Sequence, residues 1–199
     1  MRPKKVVTAI CGASGAVYGI RLLKALLERP IEVLLSVSRA GQQVLRHETD
    51  YPGGSLESFL TDQGVNFHSE ARLISYDPDD LFAPPASGSF RHDGMIIAPC
   101  SMKTLGAIAA GLADDLILRA ADVTLKERRP LVLLTRETPL SLIHLENMAR
   151  AATIMPPCPG FYNRPQTVLE IVDATIARTL DQLNIDNDLI RRWGESDGL

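Results

Sequence analysis

Short runs of valine, isoleucine and leucine recur along the chain, and between them apolar residues repeat at helical spacing. The runs at residues 6–10, 31–37, 95–98, 131–134 and 153–155 have strand length and almost no polar interruption, as expected of strands covered on both faces. A weaker run falls near Val65 or Leu73. The periodic stretches predict helices over residues 17–28, 39–47, 101–110, 114–127, 141–152 and 166–183. Strand and helix therefore alternate, which predicts an α/β chain: one Rossmann-like domain, a doubly wound parallel sheet with helices on both faces. Residues 51–69, with Pro52-Gly53-Gly54, and 77–91, with Pro78, Pro84, Pro85 and Gly88, show no period and read as loops. The domain is expected over 1–185, and a tail over 186–199 carries Arg191, Arg192 and Trp193.

Composition narrows the function classes. The 199 residues hold 24 acidic against 21 basic side chains, a formal net charge of −3, with only one tryptophan, four tyrosines and five phenylalanines. Neither a basic field nor a set of stacking platforms is present, so a nucleic-acid partner is not expected. Cys11, Cys100 and Cys158 are odd in number and far apart, which suits neither a disulfide framework nor a zinc pattern and fits a reducing cytosol. The apolar stretch near the N-terminus is broken at Gly12, too short to cross a membrane. His47, His68, His92 and His144 show no ligand spacing, and no Asp-rich pair suits a magnesium–diphosphate unit, so no metal is expected.

Candidate chemistry lies where strands end. The first strand runs into Cys11-Gly12-Ala13-Ser14-Gly15, a small-residue turn opening a helix, which lets a phosphate reach free N–H groups at the positive end of the helix dipole. The glycine spacing is not that of a dinucleotide fingerprint, no acidic residue ends the second strand, and no Gly-Lys-Ser/Thr follows. A mononucleotide such as FMN suits the turn better than NAD or ATP; a plain tight turn is the alternative. Ser38, at the end of the second strand, reads as a ligand contact or a helix N-cap, and Ser101, in Pro99-Cys100-Ser101-Met102-Lys103-Thr104, reads the same way. Arg136 and Glu137 follow the fifth strand on the same sheet edge, where an arginine fork can clamp a phosphate and a carboxylate can manage a proton. The cations of Lys126-Glu127-Arg128-Arg129 complement a helix C-terminus. Arg178 is expected on the buried stripe of the last helix, with Asp181 or a bound phosphate as its partner.

Several longer motifs carry a resemblance. Residues 12–19 (Gly-Ala-Ser-Gly-Ala-Val-Tyr-Gly), Glu48-Thr49, Ser87-Gly88-Ser89-Phe90, residues 98–104 and 120–131, Arg136-Glu137-Thr138-Pro139-Leu140 and Phe161-Tyr162-Asn163-Arg164-Pro165-Gln166 resemble the UbiX-type flavin prenyltransferases from the first strand to the last helix. The resemblance implies a flavoprotein that joins the prenyl group of dimethylallyl monophosphate to reduced FMN at N5 and C6, giving a prenylated flavin for UbiD-type decarboxylases. It implies FMN contacts at Gly12, Ala13, Ser14, Ser38, Ser101, Met102, Lys103, Thr104 and Arg136. It implies a prenyl-phosphate pocket of Lys126, Arg136, Glu137, Tyr162 and Arg178 with Ser87, Gly88 and Ser89 nearby, and catalytic roles for Ser14, Glu48 and Glu137. It also implies a homo-dodecamer with sites between subunits. Cys11, Gly160 and Asn163 stand where the family commonly has serine, alanine and histidine. The alternatives are an FMN-dependent decarboxylase acting directly, although the first-helix histidine of the cysteine decarboxylases has no counterpart here, and an FMN carrier.

Overall fold

The computed structural model describes residues 3–192. Six strands, β1 (Lys4–Ile10), β2 (Ile31–Val37), β3 (Arg72–Tyr76), β4 (Met95–Cys100), β5 (Leu131–Thr135) and β6 (Thr153–Ile154), form one sheet in the order β3-β2-β1-β4-β5-β6. Every pairing is parallel, with β1 aligned on β2 from Lys4↔Ile31 to Ile10↔Val37. This is the doubly wound order, and the direction of winding reverses between β1 and β4.

The helices are α1 (Ala16–Leu27), α2 (Arg39–Glu48), α3 (Leu56–Asp62), α4 (Met102–Ala109), α5 (Leu116–Lys126), α6 (Leu142–Arg150) and α7 (Val168–Asp181). Alternation along each strand divides the interior into two cores. Val6, Ile10, Val33, Leu35, Ile96 and Leu134 meet α1, α2, α3 and α7 on one face. Val7, Ala9, Leu34, Met95, Ile97 and Leu133 meet α4 and α5 on the other, with α6 at the flank. Leu26 and Leu27 at the end of α1 are fully buried, each worth about 1.5–3 kcal/mol.

Two sequence expectations need correction, and one open alternative is resolved. The stretch read as a loop over 51–69 contains α3, whose Ser55 side chain accepts from the Ser58 amide while Leu56, Phe59 and Leu60 are buried. Two helical turns are too short to show a period. Of the two sites offered for the weak strand, Leu73 lies in β3 and Val65 in no strand. Arg178 is not on a buried face: Val172, Thr175, Ile176, Thr179 and Leu180 form the buried stripe, and the Arg178 side chain is 59% exposed. Counting from Ile171 and Ala174, which are only half-buried, placed the stripe one residue out. The chain past Ile185 folds back on α7: the Asn187 side chain donates to the Ala177 carbonyl, and Arg192 forms two 2.7 Å bonds to Asp181. Trp193 lies outside the described residues.

Candidate functional site

Four chain segments converge at the carboxyl edge of the sheet, beside the β1/β4 switch point. The first turn, 11–15, leaves β1 with Gly15 at φ 106°, a left-handed conformation that favours glycine. Gly15 caps α1 without a side-chain oxygen, so the helix start needs an acceptor from elsewhere. Glu48, the last residue of α2, supplies it: one carboxylate oxygen accepts from the Gly15 and Ala16 amides at 2.7 and 2.8 Å. Partial burial works against ionisation, but bonds from the Ser14 hydroxyl and the two amides, with Arg136 nearby, together hold Glu48 below the ordinary carboxylate value. Arg136 follows β5 and donates from Nε to the Ser14 carbonyl at 3.1 Å. Ser14, Glu48 and Arg136 thus form one connected group at the start of α1. Glu137 stands beside it, exposed, accepting from the Thr138 amide at 3.2 Å.

Next to this group is a cavity of about 450 Å³ lined by Cys11, Gly12, Ser38, Arg39, Ala40, Pro78, Asp79, Ser101, Lys103, Thr104, Ala107, Asp115, Ile117 and Leu118. Three helix N-termini open onto it. Ser38 caps α2 by accepting from the Gly41 amide at 3.0 Å, and Ser101 caps α4 by accepting from the Thr104 amide at 3.3 Å. Asp115 caps α5 by accepting from the Leu118 amide at 2.8 Å. Both serines are therefore caps and cavity walls at once. Their remaining N–H groups and two cationic side chains suit a phosphorylated, mostly apolar ligand of flavin size. Met102 is the first residue of α4, and Ala13 is buried beneath the turn. Burial pushes the Cys11 thiol up to about 11, with a Thr104 hydrogen bond opposing, so an uncharged thiol faces the cavity. Cys100 is raised too, by its burial first and by Cys11 second.

The other expected site residues lie elsewhere in this chain. Lys126 ends α5 at the opposite edge of the sheet, just before β5, with Nζ 2.7 Å from Glu127. Ser87, Gly88 and Ser89 are beside it, because Arg129 holds the Gly88 and Phe90 carbonyls at 2.9 and 2.8 Å. Arg178 is also near that edge: Asp181, 3.5 Å away, ends α7, and Leu183 just beyond accepts from Lys4 at the start of β1. Tyr162 projects, 60% exposed, from the connection between β6 and α7, where Asn163 donates to the Arg191 carbonyl. Sequence reasoning brought these residues to one pocket; a single copy of the chain separates them into an inner group and an exposed outer set. It also missed Arg39, Asp79 and Asp115 as cavity walls. Arg39 carries one usable signal, a cation at the first position of a helix that follows a strand end.

Among the described residues, no group of three His, Cys, Asp or Glu side chains gathers as a metal site, and no helix is long and apolar enough to cross a membrane.

Comparison with known proteins adds to this geometry. The Flavoprotein family pattern matches residues 1–180. Flavin prenyltransferase UbiX of Pseudomonas aeruginosa is 46% identical over 201 residues, covering 97% of this chain and 95% of that protein. The solved structure of AnUbiX (PadA1) in complex with FMN and dimethylallyl pyrophosphate superposes with a TM-score of 0.86 at 41% identity, over 98% of this chain and all of the other. A dodecameric FMN-dependent UbiX-like decarboxylase from Escherichia coli O157:H7 gives a TM-score of 0.84 at 45% identity, over 95% and 98%.

Proposed function

The chain belongs to the Flavoprotein family and, within it, to the UbiX-type flavin prenyltransferases, and from that premise we propose that it transfers the dimethylallyl group of dimethylallyl monophosphate to N5 and C6 of reduced FMN without a metal. The observation that carries this reading is the cavity with three helix N-termini, walled by Cys11 and Gly12 of the same first turn that holds Ser14 and its Glu48 and Arg136 contacts. Gly12, Ala13, Ser38, Ser101, Met102, Lys103 and Thr104 would hold the flavin there. Its fit rests on the donor set and on a volume within the range of cofactor pockets.

Reduced FMN supplies the nucleophilic nitrogen and carbon when bound. The side chains supply the rest. Arg136 places a fixed positive charge at the start of α1, where negative charge on a departing phosphate is stabilised without reorganisation. Ser14, hydrogen-bonded to ionised Glu48, would be able to pass a proton to and from a flavin held at the first turn. Glu137, exposed beside Arg136, balances protons on the phosphate. An apolar floor keeps water from an allylic cation.

The outer set supports an oligomer whose sites lie between subunits. Lys126, Tyr162, Arg178 and Ser87 to Ser89 are displayed for a second copy's allylic phosphate rather than this copy's own. A surface for assembly is present: α6 has no buried residue, and Leu142, Ile143, Phe161 and Val168 are 67–73% exposed. Solvent rarely meets so much apolar surface on a monomer. We extend the reading to a dodecamer like the Escherichia coli neighbour, to a UbiD-type decarboxylase as recipient of the product, and to a cytoplasmic location, with 1–185 as the catalytic domain. Direct decarboxylation rests on the names of solved neighbours, that one and a phenylacrylic acid decarboxylase from Aquifex aeolicus, while the curated relatives are named prenyltransferases.

The test is anaerobic single turnover with reduced FMN and dimethylallyl monophosphate, alongside Glu137→Gln. The proposal expects phosphate release coupled to loss of FMN in the wild type, and a crippled variant that still binds FMN. Tight FMN binding with no phosphate release by the wild type would make it a carrier and overturn the reading.

A further inference from the structure

One contact at the cavity mouth has no part in the chemistry above. Arg39, the first residue of α2, and Asp79, on the connection after β3, both line the cavity, and Arg39 Nη2 donates to Asp79 Oδ2 at 2.5 Å. The two belong to separate elements. Asp79 is held in place because its amide donates to the Asp77 carboxylate at 2.9 Å and because the neighbouring Pro78 carbonyl accepts from the Leu116 amide at 2.7 Å. Arg39 is fixed through its backbone at the start of α2, and its side chain is 84% exposed against 62% for Asp79. An ion pair this exposed is worth little and opens readily.

The charges around the mouth are few. Lys103 and Arg39 are the cations among the lining residues, and Asp79 and Asp115 the anions. Asp115 is committed to the start of α5. Asp79 is thus the one carboxylate free to engage a cation there, and it engages Arg39. A phosphate dianion entering beside the α2 and α4 N-termini offers a guanidinium more charge and a better match to its planar fork than one carboxylate does.

We propose that Arg39 is the residue that reads the flavin's phosphate, and that Asp79 is a built-in competitor that holds Arg39 until that phosphate displaces it. This deepens the flavin reading and rests on it: the pair sets discrimination between FMN and riboflavin. It requires no new bond and no added reactant, only exchange of one anion for another at Arg39.

The experiment is flavin binding, read by fluorescence quenching, with FMN and riboflavin as separate probes. Wild type, Arg39→Ala, Arg39→Lys, Asp79→Asn and the Arg39→Ala/Asp79→Asn double variant are compared. Arg39→Ala is expected to weaken FMN by about tenfold, the scale of a lost hydrogen bond to a charged group, and riboflavin by less than about twofold. Asp79→Asn is expected to tighten FMN roughly two- to fivefold, the factor an exposed ion pair is worth, leaving riboflavin unchanged. That gain should vanish in the Arg39→Ala background, and Arg39→Lys should fall between wild type and Arg39→Ala. Equal losses for both flavins in Arg39→Ala, or weaker FMN binding in Asp79→Asn, would overturn the inference while leaving the proposed function intact. A wild-type protein that binds neither flavin would overturn both.

Discussion

The approach of α2 to the first turn depends on two missing methyl groups, and it can be tested by moving one of them. A methyl at Gly12 would stand 2.4 Å from Cβ of Ala40, and 3.3 and 3.4 Å from its carbonyl carbon and Cα. Carbon atoms pack best at about 3.5–4.0 Å, so the first turn and α2 would have to part by about 1 Å. Overpacking of that kind costs about 1–3 kcal/mol. For a domain of this size each kcal/mol moves Tm by about 2–4 °C, so Gly12→Ala should melt roughly 2–12 °C below wild type. Most of the clash is one methyl against another, so Ala40→Gly should relieve it. Alone, Ala40→Gly should cost up to about 1 kcal/mol for glycine in a helix. Combined with Gly12→Ala it should give a double variant more stable than Gly12→Ala alone, with a coupling of about 1–2 kcal/mol. Gly41→Ala is the contrast: there a methyl meets the Ile10 backbone oxygen at 2.4 Å, which no side-chain change removes. Thermal melts at one fixed protein concentration provide the comparison, because assembly makes Tm concentration-dependent. If Ala40→Gly simply adds its own cost to that of Gly12→Ala, the stated packing is wrong.

Three further outcomes follow from the site. Glu48 has a folded-state pKa below its ordinary 4.5, so its stabilising contribution is present above that value and fades as pH falls through the folded value. Melts from about pH 5 to 3 should therefore fall more steeply for wild type than for Glu48→Gln; parallel slopes would deny the carboxylate its place at the start of α1. Mixed oligomers of inactive Ser14→Ala and Lys126→Ala chains should recover prenyl transfer, because each copy can supply the group the other lacks. Recovery absent from well-mixed oligomers would mean that Lys126 serves its own copy's site. Charge on the leaving phosphate is assigned to arginine and lysine, so EDTA should leave transfer at full rate, and a loss restored by added magnesium would contradict that assignment.

How much of this was legible in the sequence depended on the range of the interaction. Strands 31–37 and 131–134 announced themselves because a strand covered on both faces cannot hide its apolar run, and β2 matches its expected bounds. Ser38 and Ser101 were legible as caps because capping acts over three residues. Glu48 was not legible as the acceptor for Gly15, since 33 residues separate them and only the packing of α2 beside the first turn joins them. The resemblance implies a functional role for it; the hydrogen bonds give it a structural place at the start of α1. The pairing of Arg129 with the Gly88 and Phe90 carbonyls was hidden in the same way, because the sequence offered Arg129 a sufficient role at the end of α5. Arg178 failed for a different cause: a one-residue error in the helical stripe turns a buried position into an exposed one. The role proposed for it toward a second copy requires that exposure.

If the flavin itself accepts the prenyl group, its mass must change. Purified protein is incubated anaerobically with reduced FMN and dimethylallyl monophosphate, and the flavin is extracted and weighed by mass spectrometry. The expected product is FMN heavier by one dimethylallyl unit in place of a proton, with the second bond at C6 closing a fourth ring. Flavin recovered at the mass of FMN, from protein that binds it, would rule out transfer to the flavin.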